Sequence, residues 1–327
     1  VAVDAAISLG VESTYGVAPS TTEGYEGQAD SWKTAREFVE SKGFRSGLQT
    51  VRADRRRIVD MGGEGELELD LVDDGARTLL TLAFDAVSTS GRVHTFHTAS
   101  DVASPSATVQ VLRPKVDGGT VAYKHVGAVV TEWEFEQEIE NPLKVTASFD
   151  FRTVTHAGPT LPIVYPDRAV PYDWTRGAVY LTPPGGVETQ VAVTKWSVKG
   201  ARGLKTDRRF VRADPLKAAP KRAELPEYEG ELEVEFDSAT LPLYESFIRG
   251  DVLGLRIAYT GVTAGAQFEL RASAIQFTGE SPESSLDDLT RMTLPFAVLD
   301  PGNSAAVTVV YTEPTPPPGP QGEAADR

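Results

Sequence analysis

EGELELDL at residues 64–71 returns as EGELEVEF at 229–236, and VRAD at 51–54 returns as VRAD at 211–214. Either match alone is within the reach of chance in a chain rich in Val, Ala, Arg and Glu; the pair gains weight because the neighbouring sequence keeps register. GFRSGLQTVRAD from Gly43 lies over GLKTDRRFVRAD from Gly203 at an offset of 160, with Arg45 over Lys205 and Ser46 over Thr206. The EGELE segments are offset by 165, and the five extra residues fall in PLKAAPKRAELPEYEG of the second copy. Further on, TEWEFEQEIENPLKVTASF (131–149) aligns with TGESPESSLDDLTRMTLPF (278–296) at 147, placing Lys144 over Arg291, Thr146 over Thr293 and Phe149 over Phe296. The fall from 165 to 147 assigns 18 additional residues to the first copy, within RVHTFHTASDVASPSATVQVLRP, where Ser, Pro and Asp mark loops.

Both EGELE segments alternate charge with apolar bulk. Glu66, Glu68 and Asp70 face one way and Leu67, Leu69 and Leu71 the other, the pattern of a half-buried strand. Each is followed by a compact apolar pattern, DDGARTLLTLAFDAV (73–87) and DSATLPLYESFI (237–248). Leu79, Leu80, Leu82, Ala83 and Val87 recur at helical spacing, with Asp73, Asp74 or Asp237 as N-terminal caps and Pro242 acceptable only in a first turn. The repeated unit therefore reads as strand, strand, helix, strand and long hairpin. The expected class is mainly β with short helices: two tandem β-sandwich or half-barrel domains, each with one flanking helix and a long β-hairpin. The expected division is 1–158 for the first copy with its N-terminal arm, 159–188 for a linker, 189–312 for the second copy and 313–327 for an exposed Pro-rich tail. The Gly, Ser, Thr and Pro content of 11–42 marks an arm expected to order against a neighbour.

Composition narrows the function. A chain of 327 residues fits two domains of roughly 150. No apolar run approaches a membrane span, and VAVDAAISLG lacks the charged start and apolar core of a secretory signal. Absent cysteine removes disulfides, thiolate metal sites and cysteine nucleophiles, and fits assembly inside a cell. His94, His97, His125 and His156 are too scattered for a metal site, and there is no GxSxG elbow, Walker loop or GxGxxG after a strand. No enzyme activity and no cofactor are expected. A glycosidase needs two carboxylates isolated in an apolar cleft, whereas here they stand in rows.

The strongest row is TEWEFEQEIE, in which Glu132, Glu134, Glu136, Glu138 and Glu140 project from one face and Trp133, Phe135 and Ile139 from the other. Like charges along a strand repel. Such a row is either a solvated face or a surface made acidic by what passes it. Glu64, Glu66 and Glu68 with Glu231, Glu233 and Glu235 extend the acidic candidates. The basic cluster Arg52, Arg55, Arg56 and Arg57, with Arg208, Arg209 and Arg212 in the second copy, invites a nucleic-acid reading, but a net charge of −15 favours pairing with acids of a neighbouring subunit.

AISLGVESTYGVAP, a polar stretch, then GF…R…GEGELELDL…LL…AF, resembles the major tail tube proteins of long-tailed bacteriophages, and VTKWSVKGARGL with EGELEVEFD resembles them again. The resemblance runs to about residue 312 and its motifs are diffuse. It implies a virion protein, assembled in the host cytoplasm, whose rings stack into a hollow, electronegative tube for DNA ejection. Its implied partners are itself, tail-tip and tail-terminator proteins, and a tape measure protein and DNA within the bore, without specific DNA binding. The doubling favours a ring of three chains with pseudo-sixfold symmetry over six chains. The alternative reading is a two-domain binding module, carbohydrate-binding or adhesin-like, which calls for exposed aromatics in a groove.

Overall fold

A computed structural model describes residues 5–43, 46–47, 49–50, 52–99, 105–156, 158–279, 282 and 289–315, with 28–30 described by backbone alone. Arg45, residues 283–288 within the expected second hairpin, and the residues from 316 lie outside the described residues. The chain opens with β1 (Ala6–Val11), β2 (Thr22–Tyr25) and a long hairpin of β3 (Gly27–Glu40) and β4 (Arg56–Asp70). Helix α1 (Arg77–Ala83) leads to the hairpin β5 (Ala86–Ser90) and β6 (Val93–His97), then to β7 (Ala107–Pro114), β8 (Thr120–Glu138), β9 (Lys144–Phe151) and β10 (Thr153–Thr155). Next come β11 (Ile163–Val164), β12 (Gly177–Thr182), β13 (Thr189–Val191), β14 (Lys195–Ala201) and the small pair β15 (Leu204–Lys205) and β16 (Lys221–Arg222). The chain continues through β17 (Glu227–Glu235), α2 (Leu241–Arg249), β18 (Leu253–Thr260), β19 (Gln267–Phe277), β20 (Arg291–Val298) and β21 (Val307–Thr312). The protein is mainly β with two short helices.

Seven strands pair in the order β3-β4-β9-β8-β14-β17-β20 to make a principal sheet. Alternation dictates its two faces. Leu67, Leu69, Trp133, Phe135, Val145, Ala147, Phe149, Trp196, Val198, Leu232, Leu294 and Phe296 point inward and are buried. Covering them are outer strands: β2-β1-β7-β8-β10 in the first half, and β13-β12-β18-β19-β21-β6-β5 in the second. The long strand β8 belongs to both layers, pairing with β7 and β10 up to Ala128 and with β9 and β14 beyond it. One hydrophobic cluster spans both halves, crossed by Phe135 against Phe268 (5.4 Å between ring centres) and by Trp133 against Tyr228 (6.1 Å).

Strand register repeats between the halves. Leu67 faces Ala147 on β4–β9 and Leu232 faces Leu294 on β17–β20, the pairs that the offsets 165 and 147 connect. Val130 faces Phe149 and Phe277 faces Phe296 in the same relation. Lys33 faces Glu64 as Lys199 faces Glu229, and Ile7 faces Val111 as Val179 faces Ile257. A β-bulge interrupts β7–β8 between Ala107 and Val109, and another interrupts β18–β19 between Leu253 and Leu255, at matched positions. The hairpin β5–β6 has no counterpart in the second half. It accounts for the extra residues of the first, and β6 pairs along β21 of the second half. Within 159–188, β12 pairs with β18 over six positions and β11 runs parallel to β2.

Several local expectations are corrected. The row on β8 stops at Glu138: Glu140 sits in a turn with φ 72°, Ile139 is 41 % exposed, and Gln137 takes the inward place. Asp73 does not cap α1, because the turn at Gly75 (φ 89°) starts the helix four residues later with Ala76 as an N-cap lacking a side-chain bond. Asp73 is instead buried and accepts the N–H groups of Val170 and Thr263, both at 2.9 Å, tying three segments together. Val87 lies in β5, not in the helix. Asp237 accepts from the N–H groups of Ala239 and Thr240 just before α2, with Pro242 in the first turn. Residues 11–42 are built into the chain's own sheets through β2 and β3. Glu12 is buried there and accepts from Gly16 N (2.7 Å), Ser106 Oγ (2.8 Å), Thr108 Oγ1 (2.7 Å) and Gly127 N (2.8 Å).

Between the halves lies a buried ion pair. Arg202, just past β14, is 1 % exposed; its Nη2 donates to Asp85 at 2.9 Å and its Nη1 to the carbonyls of Leu82 (3.1 Å) and Val130 (2.9 Å). Arg222 adds a second contact to Asp85 at 3.0 Å. Burial pulls the Arg202 guanidinium down from its usual value and the Asp85 carboxylate offsets this. Removing one partner of such a pair strands a buried charge. Asp85→Ala should therefore lower unfolding stability by about 3–5 kcal/mol in chemical denaturation.

Candidate functional site

The outward face of the principal sheet collects the acidic residues. Residues directly opposite on paired strands share a face, so the register defines rows across it. One row reads Ser31, Glu66, Ser148, Glu132, Ala201, Glu227. The next reads Glu68, Thr146, Glu134, Lys199, Glu229, and the one after it Asp70, Lys144, Glu136, Ser197, Glu231. Glu138, Lys195 and Glu233 follow, with Glu235 opposite Arg291 at the margin. Glu64, Glu66, Glu68, Glu132, Glu134, Glu136, Glu138, Glu231, Glu233 and Glu235 thus stand on one surface.

Three acidic strands, β4, β8 and β17, alternate with strands carrying Lys, Ser and Thr. The cations between them are engaged: Lys144 with Glu68 (3.0 Å), Lys195 with Glu136 (2.9 Å) and Glu231 (3.5 Å), Lys199 with Glu229 (2.9 Å), and Arg291 with Glu233 (2.9 Å). Neighbouring carboxylates raise the pKa of each of these lysines. They act as mortar between acidic strands. Among the described residues, Glu64, Glu66, Glu132 and Glu134 have no such cation, and they border shallow, open depressions. Nothing in this arrangement isolates two carboxylates in an apolar cleft.

The basic candidates divide. Arg52 pairs with Asp54 (Nε to Oδ1 2.8 Å) and Arg212 with Asp214 (3.1 Å), so the repeated VRAD makes the same local ion pair twice. Arg209 pairs with Asp60 and joins the second half's loop to β4. Arg208 donates to the Ala219 carbonyl at 2.6 Å, while Arg56 meets Glu40 (3.2 Å) and lies over the Phe38 ring. Arg55 and Arg57 are exposed on the β3–β4 arm, beside outward-facing Phe38, Val39, Ile58 and Val59. Of the four tryptophans, Trp32, Trp133 and Trp196 pack in the core, leaving Trp174 exposed. His94 and His97 occupy opposite faces of β6, with His94 buried, its Nδ1 bonded to Thr89 (2.9 Å) and its Nε2 3.1 Å from a Glu313 carboxylate oxygen. Among the described residues no His, Asp and Glu group has the makings of a metal site.

Sequence reading missed that SWKTAR (31–36) on β3 and SVKGAR (197–202) on β14 hold matching places, each paired with an EGELE strand. It also missed Lys195 as a partner of both flanking acidic strands and Lys199 as the partner of Glu229. The serine, lysine and arginine at matched spacing were the available signal.

Partial burial and then the Glu136 charge raise the Glu134 carboxyl above its ordinary value of 4.5. A folded-state value above the unfolded one means that the ionised group costs stability at neutral pH, and that the cost fades as pH falls and the proton binds. Glu134→Gln should raise the melting temperature by about 1–3 °C at pH 7. The gain should shrink as pH falls towards 4.5 in parallel melts of both proteins.

A search of curated proteins finds no match. Against protein families, residues 2–323 match the family described as "Phage tail tube protein". The match spans the principal sheet, both helices and both sets of outer strands, and on it the chain belongs to the phage tail tube protein family.

Proposed function

We propose that this protein polymerises into stacked rings forming the hollow tail tube through which DNA leaves the virion, with the acidic sheet face turned to the bore. Each chain supplies two modules, the second opening at β12. Three chains make a ring with pseudo-sixfold symmetry. The observation that carries this reading is the β8–β14 joint, which fuses β3-β4-β9-β8 edge to edge with β14-β17-β20 over seven residue pairs. What is joined once within a chain can be joined again between chains.

The acidic face suits passage rather than capture. Binding to a polyanion is driven by cations that displace its counterions. Here Lys144, Lys195, Lys199 and Arg291 are already held by carboxylates of the face, and the surplus is negative. DNA meets repulsion without a foothold. A tape measure protein would occupy the same bore before ejection, while tail-tip and tail-terminator proteins would cap the two ends of the stack.

Electron microscopy over a concentration series tests this. Hollow tubes with three chains per ring are expected. Six chains per ring would overturn the two-module arrangement, and monomers under all conditions, added tail-tip components included, would overturn the tube itself.

A further inference from the structure

The internal joint contains more than strand pairing. At its end the Arg202 N–H donates to the Thr131 carbonyl at 3.0 Å, and the Arg202 side chain reaches Asp85, which stands two residues beyond the last residue of α1. Every partner in this contact has an equivalent elsewhere in the chain. SWKTAR over SVKGAR sends Arg202 to Arg36, and the offset of 147 sends Thr131 to Thr278 and Val130 to Phe277. Asp251 stands two residues beyond the last residue of α2, as Asp85 does beyond α1.

These equivalents are not together within one chain. Arg36 is exposed on the outer edge of β3, which pairs with β4 alone among the described strands. Asp251 and α2 lie at the opposite end of the principal sheet. The two helices also differ in cover. Leu80 and Leu82 of α1 are fully buried, whereas Ile248 of α2 is 64 % exposed, with Leu241 and Val252 also open to solvent. Helix α1 packs against β1, β6 and β8 of its own half and takes Arg202 of the second half on the Leu82 carbonyl at its C-terminal end, and among the described residues the C-terminal end of α2 has no such cover. In the single chain, Asp251 is held by Arg249 at 2.8 Å, a surface pair of the weak kind.

We propose that Arg36 of one copy docks on Asp251 and the exposed C-terminal end of α2 of the next copy, with Arg36 opposite Thr278 in the strand register. This repeats between chains the contact that Arg202 makes with Asp85 within one. It rests on the ring-forming reading above and specifies the side chains and register that close the ring. The occupant of the β3 edge is a second copy of this chain. Complementary charge, matched register and the half-covered helix all point to the same neighbour.

Arg36→Glu and Asp251→Arg each place like charges in the joint and leave the isolated fold intact, since both positions are at the surface. Each should keep the wild-type melting temperature and circular dichroism as a monomer, yet need at least about tenfold more protein to form tubes. The double variant should recover assembly relative to the worse single variant. Assembly of both single variants at the wild-type concentration, or failure of the double to improve on them, would overturn the pairing while leaving the tube reading in place. Absence of wild-type rings would overturn both.

Discussion

A strand edge is a row of unmet backbone hydrogen-bond partners, and the structure is organised around how the edge of β8 is met. Within the first half, β8 pairs with β9 on one side and would expose its other side along Glu132–Glu138. β14 fills that side over seven pairs. The pairing aligns two acidic strands on either side of one that supplies Lys195 and Lys199, so like charges are separated by a strand of cations. It also brings Arg202 over the end of α1. Backbone pairing, charge separation and helix coverage thus follow from one junction.

The hydrophobic layer beneath depends on the same junction. Trp133 of β8 packs at 4.9 Å from Phe84 after α1 and at 6.1 Å from Tyr228 of the second half, while Phe135 meets Phe268. Aromatic contacts of this kind contribute on the order of 1 kcal/mol each beyond area burial. They cross between halves because β8 carries its alternating inward residues up to the joint. The result is a core shared by the two modules.

Much of the fold was legible where local chemistry declares itself. EGELEL alternates, so its faces are fixed by the two-residue period, and the ten candidate glutamates share one surface because every acidic strand uses the same phase. The matched strands of the two halves were visible where side chains do similar work, as in Lys144 and Arg291 beside acidic strands. It was hidden in β1 and β12, where AISLGV and GAVYLT keep the pleat and almost none of the identities, since a strand face asks only for suitable bulk. Asp85 and Arg202 looked like any surface charges, because a pairing between residues so far apart in sequence leaves no local trace. The hairpin β5–β6 was anticipated as an insertion, but its attachment to β21 depends on the fold of the other half. Arg52 and Arg212 each close a local ion pair, with Asp54 and Asp214, that the repeated VRAD spelled out two residues apart.

The 43 residues between β9 and β14 are also a tether. Joining two modules in one chain makes their junction intramolecular, at an effective concentration set by the tether and not by the amount of protein present. In a ring of such modules every second joint forms in this way, before any encounter, leaving half as many collisions for closure. Dilution then acts only on the remaining joints. On the proposed ring, carrying two modules in one chain would shift assembly from a search among separate modules towards the docking of ready-made pairs, and would let one joint change its side chains without changing the other.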